Sequence, residues 1–213
     1  MNQLKVTYVD HMGDDLRVVN SARISMGKSS DSLDERDKKL INYLADHSHF
    51  TPFEHNFLTV IIECPLDIRS QIMRSRTMSF NEISRRYSKD NIEVFQENEW
   101  RSQHKSSKQC SGDNLDASTS LKCKEIEQEL QSASLDAYSK LLALGVAREQ
   151  ARRSLPVGLM TKFYMSGNLR NWSHFLKLRL DHHAQKEAQV IAQKIKDIIL
   201  EKFPFSGKKL LEN

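Results

Sequence analysis

Hydrophobic positions recur along the chain at two periods, and the changes of period mark its elements. Leu33, Leu40, Ile41 and Leu44 fall at helical intervals behind Ser32 and Glu35, whose three-residue spacing predicts a capping box. That helix is expected to end near His47. The run HNFLTVIIE over 55–63 is rich in β-branched and aromatic residues and predicts a strand, with Pro65 at the first turn of a short helix that runs towards Met73. Further on, Ile126, Leu130, Ala133, Ala137, Leu141 and Leu144 recur every three or four residues, which predicts a long helix ended by Gly145. Residues 147–154 read as a short helix closed before Pro156, and LMTKFYMS from Leu159 reads as a strand. Leu169, Trp172, Phe175 and Leu176 line one more helical face, and Ala184, Ala188, Ile191, Ile195 and Ile198 line another before Pro204.

Strands and helices intersperse without alternating, which predicts an α+β fold, a mixed sheet flanked by long helices, and not a doubly wound sheet. No internal repeat is visible, and the polar stretch 101–120 is expected to be a long loop. A chain of 213 residues with 38% hydrophobic residues fits a single domain over 1–213. No run of about 18 apolar residues is present, so no membrane partner is expected. The first residues show no basic start followed by an apolar core, and the three cysteines form no C-x-x-C pair. Both features predict a reducing, cytoplasmic setting.

Charge narrows the ligand class. The formal net charge is +4 and the pI near 8.9, an excess that suits anionic ligands but is too small and too evenly spread to mark a nucleic-acid binder by itself. None of the seven glycines falls in G-x-G-x-x-G or G-x-x-x-x-G-K-[ST], so any nucleotide must be held by side chains rather than by a glycine-rich loop. The densest chemistry lies in RSRTMSFNEISRRYS, with Arg74, Arg76, Ser79, Asn81, Glu82, Ser84, Arg85, Arg86 and Tyr87. A solvated basic turn is one account of it. Phosphate binding is the sharper one, because forked guanidinium groups stand among short hydroxyl and amide side chains.

That segment resembles the signature of the flavin-dependent thymidylate synthases, R-H-R-x-x-S-x-N-E-x-S-x-R-Y, and departs from it at one specified position, Ser75 in place of histidine. TPFEH at 51–55, ARRSLP at 151–156 and NLRNWSHFLKLRLDHHAQ from Asn168 extend the resemblance over nearly the whole chain except 101–120. It implies a dUMP site made of Gln71, Arg74, Glu82, Ser84, Arg85, Arg86, Arg152 and Arg179. Arg86 and Arg152 would neutralise the phosphate, and Arg179 would act catalytically by stabilising negative charge on the uracil ring. For FAD it implies Thr51, Glu54, Arg74, Ser75, Arg76, Glu82, Asn168, Arg170 and His174, with Ser25 and His49 as weaker candidates. It further implies NADPH as reductant, 5,10-methylenetetrahydrofolate as carbon donor, and a homotetramer.

Cys64 lacks an activating base and is expected to be a small buried hydrophobe, not a nucleophile. His47, His49 and His55 lack a carboxylate at set spacing, and His182 and His183 are expected on different sides of a helix, so no metal is expected. Two rival readings remain at this level: a weakened family member that binds nucleotide without turnover, and a basic nucleic-acid module that grips phosphates with the arginine segment and with Lys105 or Lys108.

Overall fold

The computed structural model describes residues 3–88 and 92–212. Its centre is a four-stranded sheet in the order β1 (Lys5–Met12), β2 (Phe57–Pro65), β6 (Met160–Asn168) and β3 (Ser79–Glu82). All three pairings are antiparallel. The α+β class stands, and the expected mixed sheet is corrected to an antiparallel one, because each neighbouring strand here runs back along its partner.

Alternation along the two central strands explains why one face is covered. Leu58, Val60, Ile62 and Cys64 of β2, with Thr161, Phe163, Met165 and Gly167 of β6, point inward and are buried, while their neighbours point out. Against that face pack α3 (Leu66–Ile72), α6 (Leu169–Arg179) and α7 (Lys186–Lys202). Trp172 of α6 is fully buried and donates its indole N–H to the Leu58 carbonyl at 3.1 Å, which satisfies the one polar atom of a large apolar side chain. Around α6 and α7 lie α1 (Asp15–Arg23), α2 (Glu35–Asp46) and the C-terminal α8 (Ser206–Glu212). Asp15, 5% exposed, ties the two ends of the chain together by accepting from the backbone N–H groups of Phe205 and Ser206 at 2.9 and 2.8 Å.

Several expectations shift by a few residues. The box that starts α2 uses Asp34 and Asp37, not Ser32 and Glu35, and its C-cap is His47 as expected. Asp37 wins because it is also held at 2.5 Å by Arg23 of α1, a tertiary contact no local spacing reveals. Pro65 sits at the N-cap of α3 rather than inside its first turn. The chain turns from β1 into α1 at Gly13, whose φ of +88° and 2.0 Å approach of Asn56 Oδ1 to a would-be Cβ leave room for glycine alone.

The stretch 101–120 is not a loop throughout. It holds the hairpin β4 (Arg101–Gln103) and β5 (Ser111–Asn114), and from Ala117 it is already α4 (Ala117–Ala143), capped by Asp116. The 27-residue α4 ends before Gly145, which adopts φ +84°. Its apolar stripe is not core: Ile126, Leu130 and Leu144 are 62–81% exposed, whereas Gln131 and Tyr138 are buried. A four-residue α5 (Arg148–Ala151) and the 3-10 turn Arg152–Ser154 fill the expected short helix. Among the described residues, no helix is long and apolar enough to cross a membrane.

Candidate functional site

The arginine segment leaves α3 in a tight turn, runs through β3, and ends in a second turn. β3 is a strand because Ser79, Phe80, Asn81 and Glu82 pair in register with Ser166, Met165, Tyr164 and Phe163. Alternation therefore sends Glu82 to the side on which Phe163 is buried, and a half-buried carboxylate needs partners. Its Oε1 accepts from Arg69 Nε at 3.0 Å and from Thr161 Oγ1 at 2.6 Å. Neither partner belongs to the sequence motif. Strand register was the available signal for Thr161, which lies two residues from Phe163 on the same face of β6.

A cleft of ≈ 250 Å³ opens beside this cluster, lined among others by Arg69, Glu82, Arg85, Arg152 and Thr161. Three guanidinium groups against one carboxylate leave it net positive, the electrostatics of an anion site. Arg152 reaches it from the 3-10 turn that follows α5, and Arg85 donates to the Met160 carbonyl at 3.5 Å. Arg86 points elsewhere, pairing with Glu149 at 3.2 Å with both side chains about half exposed. Ser84 turns its hydroxyl back to accept from the Arg86 N–H at 3.3 Å.

A second group forms where α6 ends against α3. Arg179 donates from Nη2 to the Gln71 carbonyl at 2.6 Å, and its buried Nε has no hydrogen-bond partner among the described residues. Burial, and then the charge of Arg74, lower the Arg179 pKa, so the guanidinium is a partly desolvated cation beside another cation. The Gln71 side chain is held in turn by Gln185, with Nε2 to Oε1 at 2.6 Å. Gln185 is not among the expected site residues, although it closes the NLRNWSHFLKLRLDHHAQ stretch; it lies uncharged at the N-cap of α7.

The flavin candidates fall into two further places. His49 and Thr51 line a cavity of ≈ 730 Å³ beside α1 and α2, together with Arg17, Asn20 and His55, and Ser25 lies exposed just beyond α1. Glu54 pairs with Arg170 at 2.5 Å, and that guanidinium stands 5.1 Å from the centre of the Phe50 ring. Asn168 caps α6 by accepting from the Asn171 N–H at 2.9 Å, and His174 is exposed on the same helix. Arg74, Ser75 and Arg76 occupy the turn after α3. Backbone bonds, Ser75 N–H to Ile72 and Met78 N–H to Ser75, both 3.1 Å, hold that turn whatever the side chain at 75. Asn171 Nδ2 donates to the Thr77 carbonyl at 2.9 Å and so anchors the turn to the first turn of α6. The structure thus joins Gln71, Arg74 and Arg179, joins Glu82, Arg85 and Arg152, and sets His49 and Thr51 in a separate cavity.

Cys64 is fully buried, and desolvation, followed by the charges of Asp67 and Glu82, pushes its thiol up to about 12. A thiol held protonated is no nucleophile at neutral pH. His182 and His183 do not lie on different sides of a helix. They occupy the turn between α6 and α7, their ring centres are 3.7 Å apart, and with Asp181 they are the one group among the described residues whose possible ligand atoms lie within 4.8 Å of one another. All three are exposed, and Asp181 already accepts from the His183 backbone and ring.

A helix-backed antiparallel sheet with arginines gathered around its edge strand defines an α+β protein with a net positive cleft. The chain belongs to the family described as thymidylate synthase complementing protein, whose sequence model matches residues 7–205. It is 41% identical over 202 residues to a protein of Thermus thermophilus named flavin-dependent thymidylate synthase, covering 94% of this chain and 73% of that one. A protein of the same name from Thermosipho melanesiensis is 41% identical over 208 residues, covering 96% and 89%. Among solved structures, the UMP/dUMP methylase PolB of Streptomyces cacaoi bound with 5-Br UMP superposes with a TM-score of 0.87 at 27% identity, over 98% of this chain and 94% of that one.

Proposed function

We propose that this protein is a flavin-dependent thymidylate synthase that converts dUMP to dTMP, with 5,10-methylenetetrahydrofolate as carbon donor and NADPH as reductant. The observation that carries the reading is the folding of the 74–88 segment into a turn, an edge strand and a net positive cleft shared with Arg152, in a member of this family. Arg85 and Arg152, which line the cleft, bind the nucleotide phosphate as charge-assisted donors, and Arg86, which faces away from it towards Glu149, would serve the site of a neighbouring subunit. Arg179, partly desolvated, places positive charge where the pyrimidine becomes anionic, and Gln71, steadied by Gln185, orients the base.

The residues present fit FAD. Arg74 and Arg76 are exposed in a turn fastened to the start of α6, where guanidinium groups and helix N–H dipoles suit a pyrophosphate. Thr51, His49, Ser25, Glu54, Arg170, Asn168 and His174 are the remaining flavin contacts of the proposal. The bound flavin supplies the hydride that reduces the transferred one-carbon unit to a methyl group. Division of these residues between separate cavities of one chain, and the exposed Ile126 and Leu130 of α4 with Leu144 at its C-cap, support a homotetramer whose sites draw on more than one subunit.

Two measurements test this. Purified protein given FAD is expected to absorb in the visible and to form dTMP from dUMP under anaerobic conditions with 5,10-methylenetetrahydrofolate and NADPH, with UMP run beside it as the competing substrate. Protein that takes up no flavin, or flavin-loaded protein that makes no dTMP, overturns the reading. Cys64→Ala is expected to keep kcat within about threefold and to cost roughly 1 kcal/mol of stability through a small cavity. Loss of all activity in a folded, flavin-loaded variant would require a thiolate mechanism instead.

A further inference from the structure

We propose that Arg69 is a positioning residue of the nucleotide site: with Thr161 it pins Glu82, so that Glu82 cannot neutralise the arginines that receive the phosphate. The proposal rests on the dUMP reading of the cleft. Its starting point is that Arg69 Nε and Thr161 Oγ1, from α3 and β6, converge on the same oxygen of Glu82, on β3. Three elements therefore meet at one carboxylate oxygen. Arg69 and Glu82 are both partly shielded, with side chains 29% and 22% exposed, and Thr161 is buried at 6%.

A carboxylate loose in a cleft with Arg85 and Arg152 would turn to one of them, because a forked ion pair at that depth outweighs the rotamer freedom it costs. An incoming phosphate would then have to displace it. Arg69 removes that competition by neutralising Glu82 where it stands, and Thr161 fixes the direction from which it is held. Arg69 sits two residues before Gln71 on α3, so the same clamp fastens the helix that presents Gln71 to the strand that presents Glu82.

The test is a pair of substitutions measured singly and together. Arg69→Ala is expected to raise KM for dUMP about tenfold with kcat changed by less than about threefold, the size of one lost charged hydrogen bond expressed in binding. Made in a Glu82→Gln background, the same substitution is expected to change KM less than about twofold, because Arg69 acts only through the charge of Glu82. Arg69→Lys, which restores charge without the fixed fork, is expected to recover part of the loss. Thr161→Val, which removes the other bond to that oxygen, follows the same pattern and serves should Arg69→Ala not fold. An equal KM effect in both backgrounds, an unchanged KM, or a fall in kcat and flavin content without a change in KM overturns the proposal. If wild-type protein binds dUMP without turnover, its dissociation constant replaces KM in each comparison. Wild-type protein that binds no dUMP defeats the functional reading and this inference with it; wild-type protein that is active while Arg69→Ala leaves KM unchanged defeats this inference alone.

Discussion

Arg179→Ala is expected to lower kcat/KM for dTMP formation by roughly 10²–10³-fold, the scale seen when one preorganised donor to a developing anion is removed. The guanidinium is set for that role before any ligand arrives. Its Nη2 is committed to the Gln71 carbonyl at 2.6 Å, its Nε is buried without a partner, and burial plus the charge of Arg74 lower its pKa. A cation in this position is poorly solvated and gains by meeting an anion, so its interaction strengthens as the pyrimidine takes on negative charge. Loss of the bond to Gln71 also removes support at the end of α3, at a cost of about 1 kcal/mol, too little to unfold a typical domain. Arg179→Lys is expected to stay well below wild type, because one ammonium cannot reproduce the planar fork that serves the carbonyl and the ligand together. Steady-state kinetics with dUMP, alongside flavin content and a thermal midpoint for each variant, checks the claim. A fall in rate matched by loss of flavin or fold would remove Arg179 from the chemistry.

The elements that build the core were legible because burial imposes a period. β2, β6, α6 and α7 each bury one face, and their apolar residues stood at the spacing of strand or helix. β1 and α1 were missed altogether. Most of β1 is exposed, since it is an edge strand, so KVTYVDHM carries no clean alternation and is specified by pairing with β2 instead. β3 was hidden for a related reason: it is four residues long, its signature residues read as ligand chemistry, and its strand character comes from β6 alone. In α4 the period marks the helix but not the destination of its apolar stripe, because helical spacing does not say whether this chain or another surface covers it.

The candidate site is marked in the sequence at its motif residues and opaque in what holds them. The family resemblance points to Glu82, Gln71 and Arg179. The residues that fix Glu82 and Gln71, namely Arg69, Thr161 and Gln185, come from a helix, a strand and a helix cap that lie 13, 79 and 114 residues from the groups they hold. Such partners have no local signal, because nothing in LDIRSQ distinguishes a solvated arginine from one that meets a carboxylate 13 residues on.

The hairpin of β4 and β5 shows the same limit, and it yields the largest expected loss of stability. Arg101, read as the first residue of a polar loop, is 14% exposed and meets Glu187 of α7, 6% exposed, at 2.5 Å. Burial alone would raise the Glu187 pKa, but the hydrogen bond and charge of Arg101, with backbone and Gln185 contacts, bring it below the ordinary value of 4.5. Arg101→Ala leaves that carboxylate buried without its counter-ion and is expected to cost about 3–5 kcal/mol near neutral pH. The sign with pH follows from the depressed pKa: the contribution of the pair is fully present above 4.5, the unfolded value, and is lost as pH falls through the lower folded one. Denaturation midpoints of wild type and Arg101→Ala should therefore lie far apart at pH 7 and converge in acid, where Glu187 is protonated in both. Replacing both partners at once, Arg101→Met with Glu187→Leu, should recover most of the loss, since the penalty comes from the stranded charge and not from the absence of the pair. A gap between midpoints that persists unchanged into acid, or a double variant as unstable as the single one, would mean that Arg101 holds the hairpin by packing its aliphatic stem rather than by its charge.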